Sequence, residues 1–434
     1  MRYPFSGILV RYLPVSQEKC CGHHTERNEA ESLSPDKRTQ PSGKVPDTDE
    51  GSAQATSESG NENGEQRSVL LETYLPDELH VNLWEMGKHP VNPFMDIGVM
   101  IGNRASVGHL VVDLPWSVEL KDISDLGARL NGEKSVAAIF NEVVHYDGFA
   151  EGNFANISFR KNNSDVKPFS LLRLNSQHFE SIKMYLSDGS PASRLTIKIP
   201  SLLSTIEPKN IRKSAYIRFR IRNIPEKVYT NVFSQKDRTL ISSTTETRIV
   251  DFRINVRRGI PEELLSGDER LYFPEFDKIH CFLTTERSEE CISQSQNYSG
   301  YRSLMDEDVW NEYVRLDTAI GISAENSVRN YLGYQWTAAS EVLKNGQIKK
   351  VKDLIVLGRF SKVKSDATSI IRFVFLVIIL GAAGSGSWEI AKDLYSGQTG
   401  NFERLLFFIL AAGAVISTGY ILRRIRGYLK AFFS

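Results

Sequence analysis

Three stretches in the middle of the chain alternate strictly between apolar and polar residues. Every second residue is apolar across residues 194–199, 215–222 and 248–257. A period of two is typical of antiparallel strands that have one face on a core and the other in water. Shorter apolar stretches separated by turn residues begin near Ser68. The pattern predicts an α+β protein with an antiparallel β-rich domain, sandwich- or barrel-like, over residues 68–260.

Four other stretches space their apolar residues as a helix does. Residues 121–130 and 133–144 predict one or two short helices inside the strand-rich domain. Residues 304–316 and 325–343 also place their apolar side chains on one helical face. We therefore expect residues 261–368 to form a mixed helical connector.

Two apolar runs near the end of the chain are long enough to suggest membrane spans. A bilayer core of about 30 Å requires about 20 mostly apolar helical residues. The run Leu405–Leu422 meets this requirement and predicts a span over 404–423. The run that starts at Phe373 meets it when residues 369–371 and Trp388 are counted in, and predicts a span over 369–391. The sequence predicts a C-terminal two-helix transmembrane hairpin, with a short loop at 392–403 and a basic tail at 424–434.

Lysine and arginine are concentrated outside this predicted hairpin. Lys and Arg close to a span favour the cytosolic side of the membrane. We therefore expect an integral protein of the inner or plasma membrane, with its body and C-terminus cytosolic and the 392–403 loop outside. The flanking cations before the first run are Lys344, Lys349, Lys350, Lys352, Arg359, Lys362, Lys364 and Arg372, and those after the second are Arg423, Arg424, Arg426 and Lys430.

The first 67 residues are mostly polar, and from Ser16 onward no apolar period is visible. Such a segment cannot bury enough surface to offset its ordering entropy, so residues 1–67 are predicted to be a disordered tail. Cys20, Cys21, His23 and His24 lie within it. Structural zinc sites usually separate their ligands by two to four residues, which these adjacent pairs do not. We predict no metal site and no cofactor.

The chain contains none of the common catalytic signatures. It has no G-x-S-x-G elbow, no phosphate-binding glycine loop, no G-x-G-x-x-G and no H-E-x-x-H. Lys and Arg number 53, as do Asp and Glu, so net charge does not favour nucleic acid. We expect a protein that is not an enzyme, with a hydrolase site assembled only by folding as an alternative.

Basic residues on two predicted strands form the candidate binding surface. Arg218, Arg220 and Arg222 alternate with apolar residues beside Tyr216. Arg253 and Arg257 alternate in the same way on a later strand. If the strands are neighbours, their outward guanidinium groups would suit an anionic ligand or a protein partner. The alternative is an ordinary solvated sheet face.

A cytosolic β-rich body on a C-terminal membrane hairpin resembles, in architecture, the membrane effectors of bacterial anti-phage systems. The resemblance implies a body that senses a ligand or partner and spans that oligomerise. Small residues in both runs permit close helix packing and homo-oligomers. The function we expect is a membrane-anchored, non-catalytic binding or sensor protein. A static membrane-tethered scaffold and a hydrolase with an unrecognised site are the alternatives.

Overall fold

Two β-sheets facing each other, with short helices over one of them, form the body of this computed structural model. The described residues are 3–15, 74–86, 93–149, 154–162, 164–199, 211–236, 244–304, 306–315, 328–364 and 367–396. The strands are β1 (Gly7–Pro14), β2 (Glu78–Trp84), β3 (Phe94–Ile101), β4 (Val107–Leu114), β5 (Ile123–Asp125), β6 (Val144–Phe149), β7 (Phe154–Lys161), β8 (Ser164–Leu172), β9 (Phe179–Tyr185), β10 (Pro191–Lys198), β11 (Ala215–Ile221), β12 (Thr230–Lys236), β13 (Thr244–Ile254), β14 (Lys278–Glu286), β15 (Glu290–Gln294), β16 (Tyr298–Ser303), β17 (Tyr331–Ala339), β18 (Glu341–Val342), β19 (Ile348–Lys349) and β20 (Leu354–Lys364), and the α-helices are α1 (Glu133–Phe140), α2 (Glu262–Leu265), α3 (Glu307–Arg315) and α4 (Ala367–Tyr395).

The strands pair in two large sheets and one small hairpin. The eight-stranded sheet has the order β15-β20-β13-β1-β4-β10-β9, with β12 also on β13. The ten-stranded sheet has the order β16-β17-β14-β2-β3-β11-β8-β7-β6, with β5 also on β11. Most neighbours are antiparallel, but β1 with β13, β2 with β14 and β8 with β11 are parallel. The predicted β-rich sandwich-like fold is confirmed, whereas the sheets are mixed rather than purely antiparallel.

The main core lies between the two sheets. It combines the inward residues of β1 and β4 with those of β2, β3 and β11. Alternate residues of β11 point into it, and Ile217, Phe219 and Ile221 are all fully buried there. The apolar half of the predicted alternation is therefore correct on this strand.

A second apolar layer covers the opposite face of the ten-stranded sheet. Trp84, Phe94 and Tyr216 point outward from the sheet and are buried against α1 and α3. Trp310 and Tyr313 of α3 belong to the same cluster. The ten-stranded sheet is thus buried on both faces along β2, β3 and β11, and this second layer positions the site described below.

Strand β1 corrects the prediction that residues 1–67 are a disordered tail. Ile8, Leu9 and Val10 are almost fully buried, and β1 pairs with both β4 and β13. The short apolar stretch near the N-terminus has enough β-branched and large side chains to occupy the middle of a sheet. Residues 16–73, including Cys20 to His24, lie outside the described residues.

Much of the predicted helical connector is strand. The helix expected over 304–316 is confirmed as α3, whereas the stretch around Trp336 and that around Leu357 form β17 and β20. These strands pair in the same sheets as strands that precede residue 260. Residues 331–339 match both a helical spacing and a strand period, and sheet pairing decides between them. In the same way, the helix expected over 133–144 is confirmed as α1, but residues 121–130 form short 3₁₀ turns and β5.

Helix α4 covers the first predicted membrane span. Within the described part of the chain, no helix meets the combined length and hydropathy needed to cross a membrane. The second predicted span, residues 404–423, lies outside the described residues, as does the tail at 424–434. The transmembrane hairpin therefore stays a prediction.

Candidate functional site

The basic residues of β11 do not face water. Tyr216, Arg218 and Arg220 are each 0 % exposed. They point away from the main core, as the alternation predicts, but α1 and α3 cover that face of the sheet. The expectation that Arg218 and Arg220 form a solvent-facing surface is wrong, because strand periodicity distinguishes the two faces of a sheet without showing what lies on each.

Arg220 is the cationic half of a fully buried ion pair. Its Nε and Nη2 donate to the two carboxylate oxygens of Asp96 at 2.6 and 3.0 Å. The Trp84 indole and the Tyr313 hydroxyl also donate to Asp96, at 2.9 and 2.7 Å. Arg220 donates further to the carbonyl of Val314. Burial is tolerated here because every charge has a close, well-directed partner.

Arg218 differs from Arg220 in having only neutral partners. Its Nε donates to the Tyr313 hydroxyl at 2.7 Å and its Nη1 to the Tyr216 hydroxyl at 2.9 Å. With the Asn82 amide turned to accept, Nη2 donates to it at 3.2 Å. Gly98 makes room for this arrangement, since a Cβ there would lie 2.0 Å from the Tyr216 hydroxyl oxygen. Because no carboxylate of the described residues is directly paired with the buried Arg218 guanidinium, its positive charge is not neutralised locally and raises the electrostatic potential around it.

The other three predicted site residues lie apart from this cluster. Arg222 donates to the carbonyl of Lys121 at the end of β11. Arg253 is on the eight-stranded sheet and pairs with Asp251 at 2.7 Å. The Arg257 guanidinium lies 4.2 Å from the centroid of the Phe273 ring. The two predicted strands are in different sheets, so the structure does not bring the six residues together.

A cavity of about 670 Å³ opens on the outer face of the ten-stranded sheet, above Arg218. Its floor comes from alternate residues of β2 and β14, which run parallel with Glu78 beside Lys278 and His80 beside His280. Residues at the end of α1, on β7 and β8, and at Trp310 of α3 form the walls. The lining residues are Glu78, His80, Asn82, Ile139, Phe140, Asn141, Glu142, Phe159, Arg160, Lys161, Val166, Lys167, Arg218, Lys278, His280, Phe282, Arg302, Trp310 and Gln335.

The charge of this cavity is predominantly positive. Six lysines and arginines line it against two glutamates. Lys278 and Arg302 form no ion pair with any residue in the described ranges, and the buried Nε of Arg302 has no hydrogen-bond partner there. Arg302 lies over the Phe282 ring at 4.6 Å, and burial lowers the pKa of its guanidinium. Unpaired cations at the edge of a low-dielectric region attract anions more strongly than exposed cations do.

Two neutral histidines form the centre of the floor. Burial lowers the pKa of His80, and burial together with His80 and Lys278 lowers the pKa of His280 to about 3. His80 Nε2 lies 3.3 Å from a carboxylate oxygen of Glu78, and its Nδ1 lies 3.2 Å from the Tyr216 hydroxyl. Neutral His80 therefore donates from Nε2 to the carboxylate and accepts at Nδ1 from the phenol. The chain of bonds continues through Tyr216 to Arg218.

The sequence shows the residues of the cavity floor as alternating positions on β2 and β14, but this alternation does not indicate their function or that the two strands are neighbours. Glu78, His80 and Asn82 alternate with the core residues of β2, and Lys278, His280 and Phe282 alternate with those of β14. The first triplet is the polar half of an ordinary strand pattern, and the second differs from it only in ending on the apolar Phe282. Only the parallel pairing of two strands about 200 residues apart in sequence shows that they share one surface.

None of the described lining residues is Ser, Thr, Cys or Tyr, so hydroxyl and thiol nucleophiles are not among them. Buried Cys281 points into the main core, and burial raises the pKa of its thiol. Among the described residues, no group of three or more His, Cys, Asp and Glu side chains could hold a metal ion. Comparison of the chain with protein-family models and with curated proteins gave no match.

Proposed function

We propose that this protein is a membrane-anchored, non-catalytic binding protein whose β-rich body takes up an anionic ligand. The observation that carries the proposal is the cavity itself, in which unpaired Lys278 and Arg302 lie beside neutral His280 above the buried Arg218. The ligand contacts the first three side chains. Arg218, fully covered by its neighbours, contributes positive potential from beneath.

This proposal relocates the binding site predicted from the sequence. Of the six predicted residues, Arg218 alone borders the cavity, and Tyr216 supports it from behind through the bond to Arg218. Unpaired cations in a concave site repel one another and lower the stability of the fold, so they are not expected in a static scaffold. In a binding protein, a bound anion removes this repulsion, and the energy released favours binding.

Lys278→Met is expected to weaken anion binding at least about tenfold. One charge-assisted hydrogen bond is worth about 1.5–3 kcal/mol, and about 1.4 kcal/mol corresponds to a tenfold change in the dissociation constant. The measurement is the thermal unfolding midpoint of the full-length chain against concentration of inorganic phosphate, sulfate, citrate and phenyl phosphate. A ligand that binds only the folded state stabilises it by RT ln(1 + L/Kd), where L is the free ligand concentration, so the midpoint rises with ligand concentration and rises more for a tighter ligand.

The matched control is Lys227→Met. Lys227 is exposed and lies outside the cavity, so its removal changes the net charge equally and leaves the cavity unchanged. If no anion of the series raises the midpoint of the wild-type chain, or if the two variants lose the shift equally, the cavity is not an anion site.

Membrane anchoring is supported by the apolar surface of α4. Val374, Phe375, Val377, Ile378 and Leu380 are between 49 % and 62 % exposed. Five large apolar side chains along two turns of one helix need a covering surface, and a bilayer supplies one. The cations that precede this helix then lie on the cytosolic side, as expected from the sequence.

The predicted topology can be tested by cysteine labelling of the full-length chain in intact cells. With Ser396→Cys, an impermeant thiol reagent is expected to react, because Ser396 lies in the 392–403 loop that the distribution of lysine and arginine predicts to be outside. With Lys344→Cys, on the exposed β18–β19 hairpin of the body, no labelling is expected until the cells are opened. The reverse pattern would place the body outside.

A further inference from the structure

We infer that the ligand carries an anionic group at each of two ends, joined by a flat apolar middle. This inference rests on the proposed function and specifies the class of ligand. Its basis is that the cavity has cations at both ends and aromatic rings between them.

The inner end of the cavity contains Lys278, Arg302 and His280. Arg302 is held between two rings, 4.6 Å from the centroid of Phe282 and 5.6 Å from that of Trp310. This stacking fixes the plane of the guanidinium, so its outward N–H groups point in a defined direction. Lys278 is next to His280 on the same face of β14, which places two cations around one anionic group.

The middle of the cavity is aromatic. Ring centroids follow one another at 5.5 Å from His280 to His80, 5.6 Å from His80 to Phe140 and 5.4 Å from Phe140 to Phe159. Both phenylalanines line the cavity, and both histidines are neutral. Such a row of rings favours a flat apolar body, and the rings themselves carry no positive charge that a second anionic group could contact.

The outer end lies beyond Phe159, on the hairpin of β7 and β8. Arg160 and Lys161 directly follow Phe159, and Lys167 follows Val166, the residue paired with Phe159. All three cations line the cavity. Lys167 has a φ of 53°, a backbone conformation that costs free energy for a residue with a side chain. Lys167 lies opposite a register shift between Ile157 and Phe159, and the consecutive residues Val166 and Lys167 both line the cavity.

A single anionic group can contact only one of these ends, because the row of rings separates them. A molecule with two such groups contacts both, and the second contact adds affinity without a second loss of translational freedom. The cations around each end suit phosphate or carboxylate groups equally.

The experiment compares two probes on the full-length chain by titration calorimetry. The probes are 4-biphenylyl phosphate and biphenyl-4,4′-diyl bisphosphate, which share one apolar body and differ in the number of anionic ends. The bisphosphate is expected to bind at least about tenfold more tightly, as one added charge-assisted contact predicts. Lys167→Met is expected to remove that advantage while leaving the affinity for the monophosphate unchanged. Lys278→Met is expected to weaken the binding of both probes.

The outcomes distinguish the inference from the proposed function. Equal affinities for the two probes, with Lys278→Met weakening both, would overturn the two-ended ligand and leave the anion site in place. An advantage of the bisphosphate that survives in Lys167→Met would also overturn the inference. If Lys278→Met binds both probes as tightly as the wild-type chain does, the two-ended ligand and the anion site are both overturned. Lys227→Met again serves as the control for net charge.

Discussion

Arg220→Met is expected to lower the free energy of unfolding by about 3–5 kcal/mol, since breaking a buried ion pair leaves an uncompensated charge. Asp96 is 0 % exposed and, among the described residues, its carboxylate would retain the hydrogen bonds from Trp84 and Tyr313 alone. Methionine fills much of the volume of the arginine stem, so the decrease in the free energy of unfolding arises chiefly from the loss of the positive charge. Urea unfolding of the purified full-length chain, followed by tryptophan fluorescence, measures it.

Two companion variants make the result interpretable. Lys198→Met breaks an exposed pair with Glu180, whose atoms are 3.7 Å apart, and is expected to cost less than about 1 kcal/mol. Arg220→Met combined with Asp96→Asn removes both charges and keeps an acceptor for Trp84 and Tyr313, so it is expected to recover part of the loss. If Arg220→Met unfolds at the same urea concentration as Lys198→Met, the pair is not a buried one.

Arg248→Met is expected to cause a loss of similar size, about 3–5 kcal/mol, because it too would leave a buried carboxylate, that of Glu85, without a cation. Arg248 on β13 donates to Glu85, next to β2, at 2.7 and 2.5 Å. Its Nη2 also lies 2.7 Å from Glu289, and Tyr229 donates to Glu85 at 2.8 Å. The guanidinium thereby links β13 of the eight-stranded sheet to the end of β2 in the ten-stranded sheet through Glu85.

The control for this second prediction is Arg270→Met. Arg270 pairs with Asp268 at the same distance of 2.7 Å, but its side chain is 54 % exposed. Solvent screens such a pair, so the expected loss is under about 1 kcal/mol. Equal losses in Arg248→Met and Arg270→Met would show that Arg248 does not hold the sheets together. Both variants can be measured by the same urea titration.

Arg220 and Arg218, two residues apart on β11, differ in whether a substitution tests stability or ligand binding. Arg220 lies on the same face of β11 as Arg218 but does not line the cavity, whereas Arg218 does. Tyr313 connects them, accepting from Arg218 and donating to Asp96. A change at Arg218 would therefore disturb both the cavity and the buried pair. For this reason Lys278, at the cavity surface, is the better position for a test of binding.

Much of the β-rich body could be predicted from local sequence. The period of two over residues 194–199, 215–222 and 248–257 corresponds to β10, β11 and β13, and the side of β11 that enters the core was assigned correctly. This is possible because a strand alternates its side chains whatever its partners are. Residues 331–339 show the limit, since their apolar spacing suits a helix as well as a strand.

The environment of each polar face depends on the tertiary structure. Alternation along the sequence is enough to place Tyr216, Arg218 and Arg220 on one side of a strand, and the apolar runs near the C-terminus are visible in the sequence itself. The sequence did not determine that α1 and α3 would cover that side, nor that the strand of Arg253 would join the other sheet. It also did not show that Glu78, His80 and Lys278 would meet across the parallel pairing of β2 with β14. The physical reason is that alternation is a local property of the backbone, whereas burial, charge pairing and cavities arise from contacts between segments far apart in sequence.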